Sequence, residues 1–324
     1  MRAVVCEAFG GPETLVLRDR PDPPPPGPGE VQVRIRARGV QYVDALQIAG
    51  KYQTRPEPPF IPGSEAAGEV LAVGPDVTAF APGDQVMSRH ATGAFAEIAN
   101  TKASGCDKVP KGMSLEAAGV YRSAYGTAYH ALLQRGRMKG GDRVLVHGAA
   151  GGIGIAAIQL AKLYGAKVIA TASTEAKRAA CLNEGADHAL DYRDGFADAV
   201  KQLTGGRGVD IAYDPIGANI SEESLRCLAW GGRLLILGFL GGGPANIKSN
   251  YLLINGIEAV GVYMGGFQAN QPELYAANNR DLLRLAAEGV LKPRISHRFP
   301  LERAADAVQA VIDREVIGKA VLLG

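Results

Sequence analysis

Glycines at positions 148, 151, 152 and 154 crowd into one stretch, Arg143 to Lys162, which reads RVLVHGAAGGIGIAAIQLAK. Such a cluster lets the backbone turn tightly and come close to a ligand that a Cβ would hold off. Ahead of it Val144, Leu145 and Val146 form an apolar run of the kind that makes a buried parallel strand. Behind it Ile155, Ile158 and Ala161 recur at helical spacing. In the order strand, turn, helix, these residues predict a cradle for a dinucleotide pyrophosphate. The helix N-terminus supplies oriented N–H donors and a partial positive charge. With 42 glycines in the chain, the cluster carries little without those flanks. Ala149 stands where the first glycine of the common G-x-G-x-x-G spacing falls, with Gly151 and Gly154 as second and third.

The type of dinucleotide is read about 20 residues further on, where NAD-binding versions of the motif carry an acid for the ribose hydroxyls. That place falls to Ser173, between Ala172 and Thr174, and the first carboxylate is Glu175. Lys177 and Arg178 follow within a helical turn, and charge-assisted hydrogen bonds from them would suit a 2′-phosphate. A missing acid and two nearby bases favour NADPH over NADH.

The elements that must hold this loop are legible as alternation. Strands are expected at 143–146, 167–171, 188–190, 209–213, 234–237 and 258–262. Helices are expected at 153–164, 175–184, 196–203, 222–229 and near 252–253. This is the pattern of a doubly wound parallel sheet. The first third reads differently: VQVRIRARGV alternates apolar and polar residues, and Pro62-Gly63, Gly74-Pro75 and Pro82-Gly83 punctuate short strands, so it is mostly β and barrel-like. A helix near Val43–Ile48, one capped by Ser114, and another over 125–133 interrupt it. The tail predicts a long amphipathic helix over 271–288, a strand near His297–Phe299, a helix over 301–313 and a last strand Lys319–Leu323. These last strands are expected to rejoin the first region. The domains expected are 1–122, 123–264 and a return segment 265–324.

Bulk properties exclude other classes. A net charge of +2 argues against nucleic acid or a membrane surface as partner. No apolar run approaches the roughly 20 residues that span a bilayer. The N-terminus, MRAVVCEAFGGPE, does not read as a secretory signal. Four scattered cysteines suit reduced, cytoplasmic thiols.

Many segments, in order, resemble the zinc-free quinone oxidoreductases of the medium-chain dehydrogenase/reductase superfamily. They include MRAVVCEAFGGPE, GEVQVRIRARGV, DALQIAGKY, PFIPGSEAAGEV, YGTAYHAL, HGAAGGIGIAAIQLAK, GADHALDYR, TGGRGVDIAYDPIG, LAWGGRLLILGF and GKAVLL. The resemblance implies a GroES-like catalytic domain completed by the C-terminal tail, a Rossmann domain for NADPH, and a homodimer formed by pairing of the edge strand Glu258–Val262. It places Ala150, Gly151, Gly152 and Ile153 at the pyrophosphate, Ser173 and Lys177 at the 2′-phosphate, and Tyr192 near the adenosine. Thr127 falls beside the nicotinamide carboxamide, and Gly238, Phe239, Tyr263 and Met264 complete the nicotinamide pocket.

Where zinc-dependent relatives carry a ligand cysteine this chain has Gln41, and where they carry a histidine before glutamate it has Ser64 before Glu65. No metal is expected. Hydrogen-bond donors must then stabilise charge on the acceptor oxygen, and the resemblance puts Gln41 and Tyr52 there. Two departures matter: relatives usually have asparagine at Gln41, and GVYRSA replaces a commonly apolar segment. The latter raises Arg122 as a selector of anionic acceptors, beside the alternatives of solvent or cofactor phosphate. The small-molecule substrate expected is a quinone. An enone, alkenal or enoyl thioester reduced by the same mechanism is the alternative, and a non-catalytic NADPH-binding or structural protein the more distant one.

Overall fold

The computed structural model describes residues 1–324. Two compact units form from three segments: Met1–Ser123 with Arg284–Gly324, and Ala124–Leu283. The second crossing falls at 283/284, not at the expected 264/265. The reason is hydrogen bonding of the long C-terminal helix, described below.

In the first unit β1 (Arg2–Cys6) and β2 (Leu15–Asp19) make an antiparallel hairpin. Next come β3 (Glu30–Val40), helix α1 (Tyr42–Ile48), β4 (Glu65–Val73), β5 (Gln85–Arg89), β6 (Ile98–Lys102), β7 (Cys106–Lys108) and helix α2 (Leu115–Ala118). As expected, Ser114 caps α2, its hydroxyl accepting from Ala117 N. On β3 the alternation buries Val31, Val33 and Ile35 against Val70 and Val86. Helix α3 (Arg122–Tyr129) then begins, and it continues as a π-helical turn over His130–Arg135.

The second unit follows with β8 (Arg143–Val146), α4 (Gly152–Leu163), β9 (Lys167–Thr171), α5 (Glu175–Asn183), β10 (His188–Leu190), α6 (Ala197–Leu203) and β11 (Val209–Asp214). After these come α7 (Ala218–Leu225), β12 (Leu228–Ile236), α8 (Ser249–Asn255), β13 (Glu258–Gly261), α9 (Met264–Asn270) and α10 (Pro272–Ala287). The six strands pair in parallel in the order β10-β9-β8-β11-β12-β13. This is a doubly wound sheet whose order reverses between β8 and β11, the crevice where such sheets bind ligands.

Helix α7 starts four residues before the expected 222–229. The Asp214 carboxylate accepts from Ile216 N and Gly217 N and from the Ser221 hydroxyl, and Gly217 turns at φ +80°, so the helix opens at once. The chain leaves the helix by Arg226, and β12 takes up 228–236, longer than the expected 234–237. Helix α10 belongs with this unit up to Leu283. Tyr129 Oη donates to Asp281 Oδ2 at 2.9 Å, and the amides of Gln134 and Asn278 exchange two hydrogen bonds at 2.9 and 3.0 Å.

The tail supplies β14 (Ile295–Pro300), α11 (Ala304–Ile312) and β15 (Lys319–Leu323). β15 pairs antiparallel with β3, so the final strands do rejoin the first unit, in a seven-stranded sheet. Helix α11 buries Ala304, Ala307 and Val308 against Ala45 and Ile48 of α1.

Candidate active site

The glycine loop runs from the end of β8 to the start of α4, with Gly151 at the N-cap. Gly148 takes φ +56°, a conformation that favours glycine. A Cβ at Gly154 would lie 2.4 Å from Gly148 O and 2.6 Å from Ala149 Cα, both backbone atoms. The helix therefore rests directly on the loop, and its first N–H groups, at Gly152 and Ile153, have no carbonyl a turn earlier to accept them. A glycine turn packed against the positive end of a three-turn helix fits a pyrophosphate.

Beneath it His147 is buried and ties three elements. Ser224 Oγ donates to Ile220 O, so it accepts from His147 Nε2 at 2.8 Å, while His147 Nδ1 pairs with Thr171 Oγ1 at 2.8 Å. Burial pushes this imidazole below its ordinary pKa, against the opposing pull of Asp214 and Glu223. A neutral ring with both nitrogens bonded is a strut rather than an acid or base.

The other expected nucleotide residues gather at the carboxyl ends of the same parallel strands. Ser173 lies in the turn after β9. Thr174 caps α5, accepting from Lys177 N at 3.3 Å. Tyr192 follows β10, half-buried against the core beneath the sheet. Gly238 and Phe239 follow β12, Phe239 packing over Gly217. Tyr263 and Met264 open α9 beyond β13, and Met264 Cε reaches toward Gly126, one residue before Thr127 in α3.

Arg178 behaves otherwise than expected. Its Nη1 donates to Ala172 O at 3.2 Å and Asp191 Oδ2 at 2.9 Å, so it is turned into the sheet edge. Asp191 also accepts from Arg193, whose Nη2 lies 2.6 Å away. These hydrogen bonds and charges hold the Asp191 carboxyl far below the ordinary range, the Arg193 side chain being the largest cause.

In the first unit Gln41 stands at the N-cap of α1 and its amide is held at both ends. Nε2 donates to Ser64 Oγ at 3.1 Å, and Oε1 accepts from Ser123 Oγ at 2.8 Å. Its backbone N donates to Asp44 Oδ2 at 2.7 Å. Behind this lies a buried ion pair, Lys319 Nζ to Glu65 Oε1 at 2.7 Å, with Glu65 Oε2 accepting from Ser123 N at 3.1 Å. Asp44 is fully buried, with Oδ1 unbonded, and burial pushes its carboxyl up to about 7. Tyr52 is half-buried in the loop after α1.

Comparison with known proteins agrees with both halves. Residues 27–134 match the alcohol dehydrogenase GroES-like domain, and residues 152–279 match the zinc-binding dehydrogenase model. The quinone oxidoreductase of Homo sapiens is 34% identical over 327 residues, covering 100% of this chain and 98% of its own. The chain belongs to the quinone oxidoreductase family of the medium-chain dehydrogenase/reductases, and is an oxidoreductase. Quinone oxidoreductase-like protein 2 of Mus musculus is 37% identical over 88% of this chain and 82% of its own length. The Escherichia coli quinone oxidoreductase complexed with NADPH superposes with a TM-score of 0.91 at 30% identity, each chain covered fully. A mycobacterial protein complexed with NADPH does so with a TM-score of 0.93 at 35% identity, again over both whole chains.

Gln41 and Ser64, expected from the resemblance at the places of zinc ligands in metal-dependent relatives, are hydrogen-bonded to each other, amide to hydroxyl. Arg122, raised as a selector of anionic acceptors, is engaged within the first unit. It is 8% exposed, with Nη2 3.0 Å from Asp107 Oδ2 and Nη1 donating to Gly105 O, so it braces β7. The sequence places Ser123 near the cleft but gives it no partner, and it does not single out Asp44 or Lys319; the partners lie up to 254 residues away. Sequence reading also missed Asp191 and Arg193, although the spacing D-Y-R at the end of a strand places both charges at the carboxyl edge.

Proposed function

We propose that the chain is an NADPH-dependent, zinc-independent reductase that transfers hydride to a quinone. The observation that carries the cofactor choice is the carboxyl edge of β9 and β10. It has no acid at Ser173, and the carboxylate that follows β10, Asp191, is occupied by two arginines. Solved relatives in complex with NADPH support the same choice. Amide and hydroxyl at positions 41 and 64 support chemistry by hydrogen-bond donors.

In this reading Ala150, Gly151, Gly152 and Ile153 present backbone N–H groups to the pyrophosphate. Ser173, Lys177 and Tyr192 serve the adenosine end. Thr127, Gly238, Phe239, Tyr263 and Met264 shape the nicotinamide pocket. When bound, the reduced nicotinamide supplies the hydride. Gln41 has one N–H engaged by Ser64 and offers the other to the acceptor oxygen, with Tyr52 as second donor. Donors fixed in this way cost little reorganisation as charge develops. The acceptor then takes its proton from solvent.

The edge position of β13 supports a homodimer formed by strand pairing, with exposed Trp230, Leu253 and Ile254 beside it. No helix is long and apolar enough to cross a membrane. Four free, buried cysteines suit the cytoplasm.

A steady-state panel with excess NADPH tests the function: quinones against alkenals and crotonyl-type thioesters. Quinones should give the highest kcat/KM. Preference for the unsaturated carbonyls would move the assignment to an enone reductase, and cofactor binding without turnover of any acceptor would overturn catalysis altogether.

A further inference from the structure

The sequence singles out Lys177 and Arg178 as the bases for a 2′-phosphate, but Arg178 faces inward. Its side chain is 25% exposed, and Nη1 is engaged by both Ala172 O and Asp191 Oδ2. The carboxylate it meets is held from the other side by Arg193. Arg193 Nε lies 3.0 Å from Asp191 Oδ1, Nη2 lies 2.6 Å from Oδ2, and the backbone N of Arg193 donates to Oδ1 at 3.1 Å. This is a two-pronged guanidinium–carboxylate fork, the geometry that fixes an arginine most firmly.

The fork leaves Arg193 outward. Its side chain is 65% exposed, and of the five N–H donors a guanidinium carries, only those of Nε and one of Nη2 go to Asp191. Its location follows from the sheet. Ala172 N donates to Leu190 O at 3.0 Å, so Ser173, just after β9, lies level with Asp191, just after β10. Both are at the carboxyl edge, where the ribose end of a dinucleotide belongs. Asp191 is thus occupied, and the same contact holds a cation at this edge.

We propose that Arg193, aimed by Asp191, is a specificity-determining residue that binds the 2′-phosphate of NADPH, with Asp191 acting as its positioning residue. The proposal rests on the NADPH reading above. Asp194 lies close enough to Arg193 to act on its charge, so the contribution is one of aimed hydrogen bonds and not of net local charge.

Positioning and plain charge predict opposite results at Asp191. Dissociation constants for NADPH, NADH and adenosine 2′,5′-bisphosphate are measured by calorimetric titration of wild type, Arg193→Ala, Arg193→Lys and Asp191→Asn, with melting curves to show each is folded. Arg193→Ala should weaken NADPH and the bisphosphate about tenfold, the scale of one charge-assisted hydrogen bond, and leave NADH within about twofold. Arg193→Lys should recover only part, because an ammonium cannot make the fork. Asp191→Asn adds net positive charge yet should weaken NADPH, since Arg193 loses its aim.

Tighter NADPH binding by Asp191→Asn, or an unchanged NADPH constant in Arg193→Ala, overturns the proposal while the cofactor reading stands. A wild type that binds NADH as tightly as NADPH overturns both.

Discussion

The glycine loop and the Gln41 cluster are built on opposite plans. Around Gly148–Gly154 the surface offered to a ligand is backbone, made within one continuous stretch, and its demand on side chains is mostly that they be absent. Around Gln41 the surface is side chain, and its parts come from the start of α1, the start of β4, the start of α3 and the start of β15. A backbone site tolerates exchange at positions that do not crowd it, as Ala149 in place of the first glycine shows. A side-chain site that is also buried tolerates little, because each group is another's partner.

The largest effect should come from the buried pair. Lys319 and Glu65 are almost fully buried, and removing the cation leaves a carboxylate with only Ser123 N for company. Lys319→Met should cost about 3–5 kcal/mol of unfolding free energy, the scale for an orphaned buried charge. The double variant Lys319→Met, Glu65→Gln should regain most of it. Urea denaturation of the three proteins measures this. A double variant no better than the single one would show that the ammonium stem, not the charge, supports the cluster.

The glycine loop is probed by adding what it excludes. Gly154→Val places carbon against Gly148 O and Ala149 Cα, backbone atoms that cannot swing aside. The expected loss is about 1–3 kcal/mol of stability, as for other overpacked sites, together with loss of measurable NADPH binding in a fluorescence titration. Normal binding in a folded Gly154→Val protein would mean that the helix can lift from the loop, and the contrast between the two regions would lose its basis.

The same difference decides what could be read without coordinates. The strand–glycine–helix order lies within twenty residues, so periodicity and residue type were enough to give β8, the loop and α4 nearly to the residue. The parallel sheet and the return of the tail followed in the same way. Helix α7 was misplaced because the Asp214 side chain starts it, a capping signal that apolar spacing does not contain. Gln41 is named through the family resemblance and Ser123 only as a neighbour of the cleft, but the hydrogen bond between them, across 82 positions, is not legible in the sequence. Arg122 looked like a substrate contact for the same reason: its true partner, Asp107, is a matter of strand packing.

A further effect separates the two regions by pH. Asp44 is buried with one carboxyl oxygen unbonded, and its folded pKa is raised from 3.8 to about 7 by burial. Gln41 N and Lys319 favour its ionised form, and Glu65 opposes it. An acid whose pKa is higher in the folded state binds more protons there between those two values. Stability from this group is therefore complete below about pH 4 and falls as pH rises, by about 1.4 kcal/mol per pH unit, levelling off above pH 7. Asp44→Asn keeps an acceptor for Gln41 N and abolishes the titration. Urea denaturation of both proteins at pH 5, 6, 7 and 8 should give a difference that shifts toward the variant up to pH 7 and is then constant. Parallel curves would mean that Asp44 is ionised throughout, stabilised by Lys319 despite its burial. The cluster would then hold two carboxylates on one ammonium, a stronger coupling than the distances alone require. The His147 strut under the glycine loop offers the control: it is neutral and bonded at both nitrogens, so its depressed pKa adds no slope between pH 7 and 8.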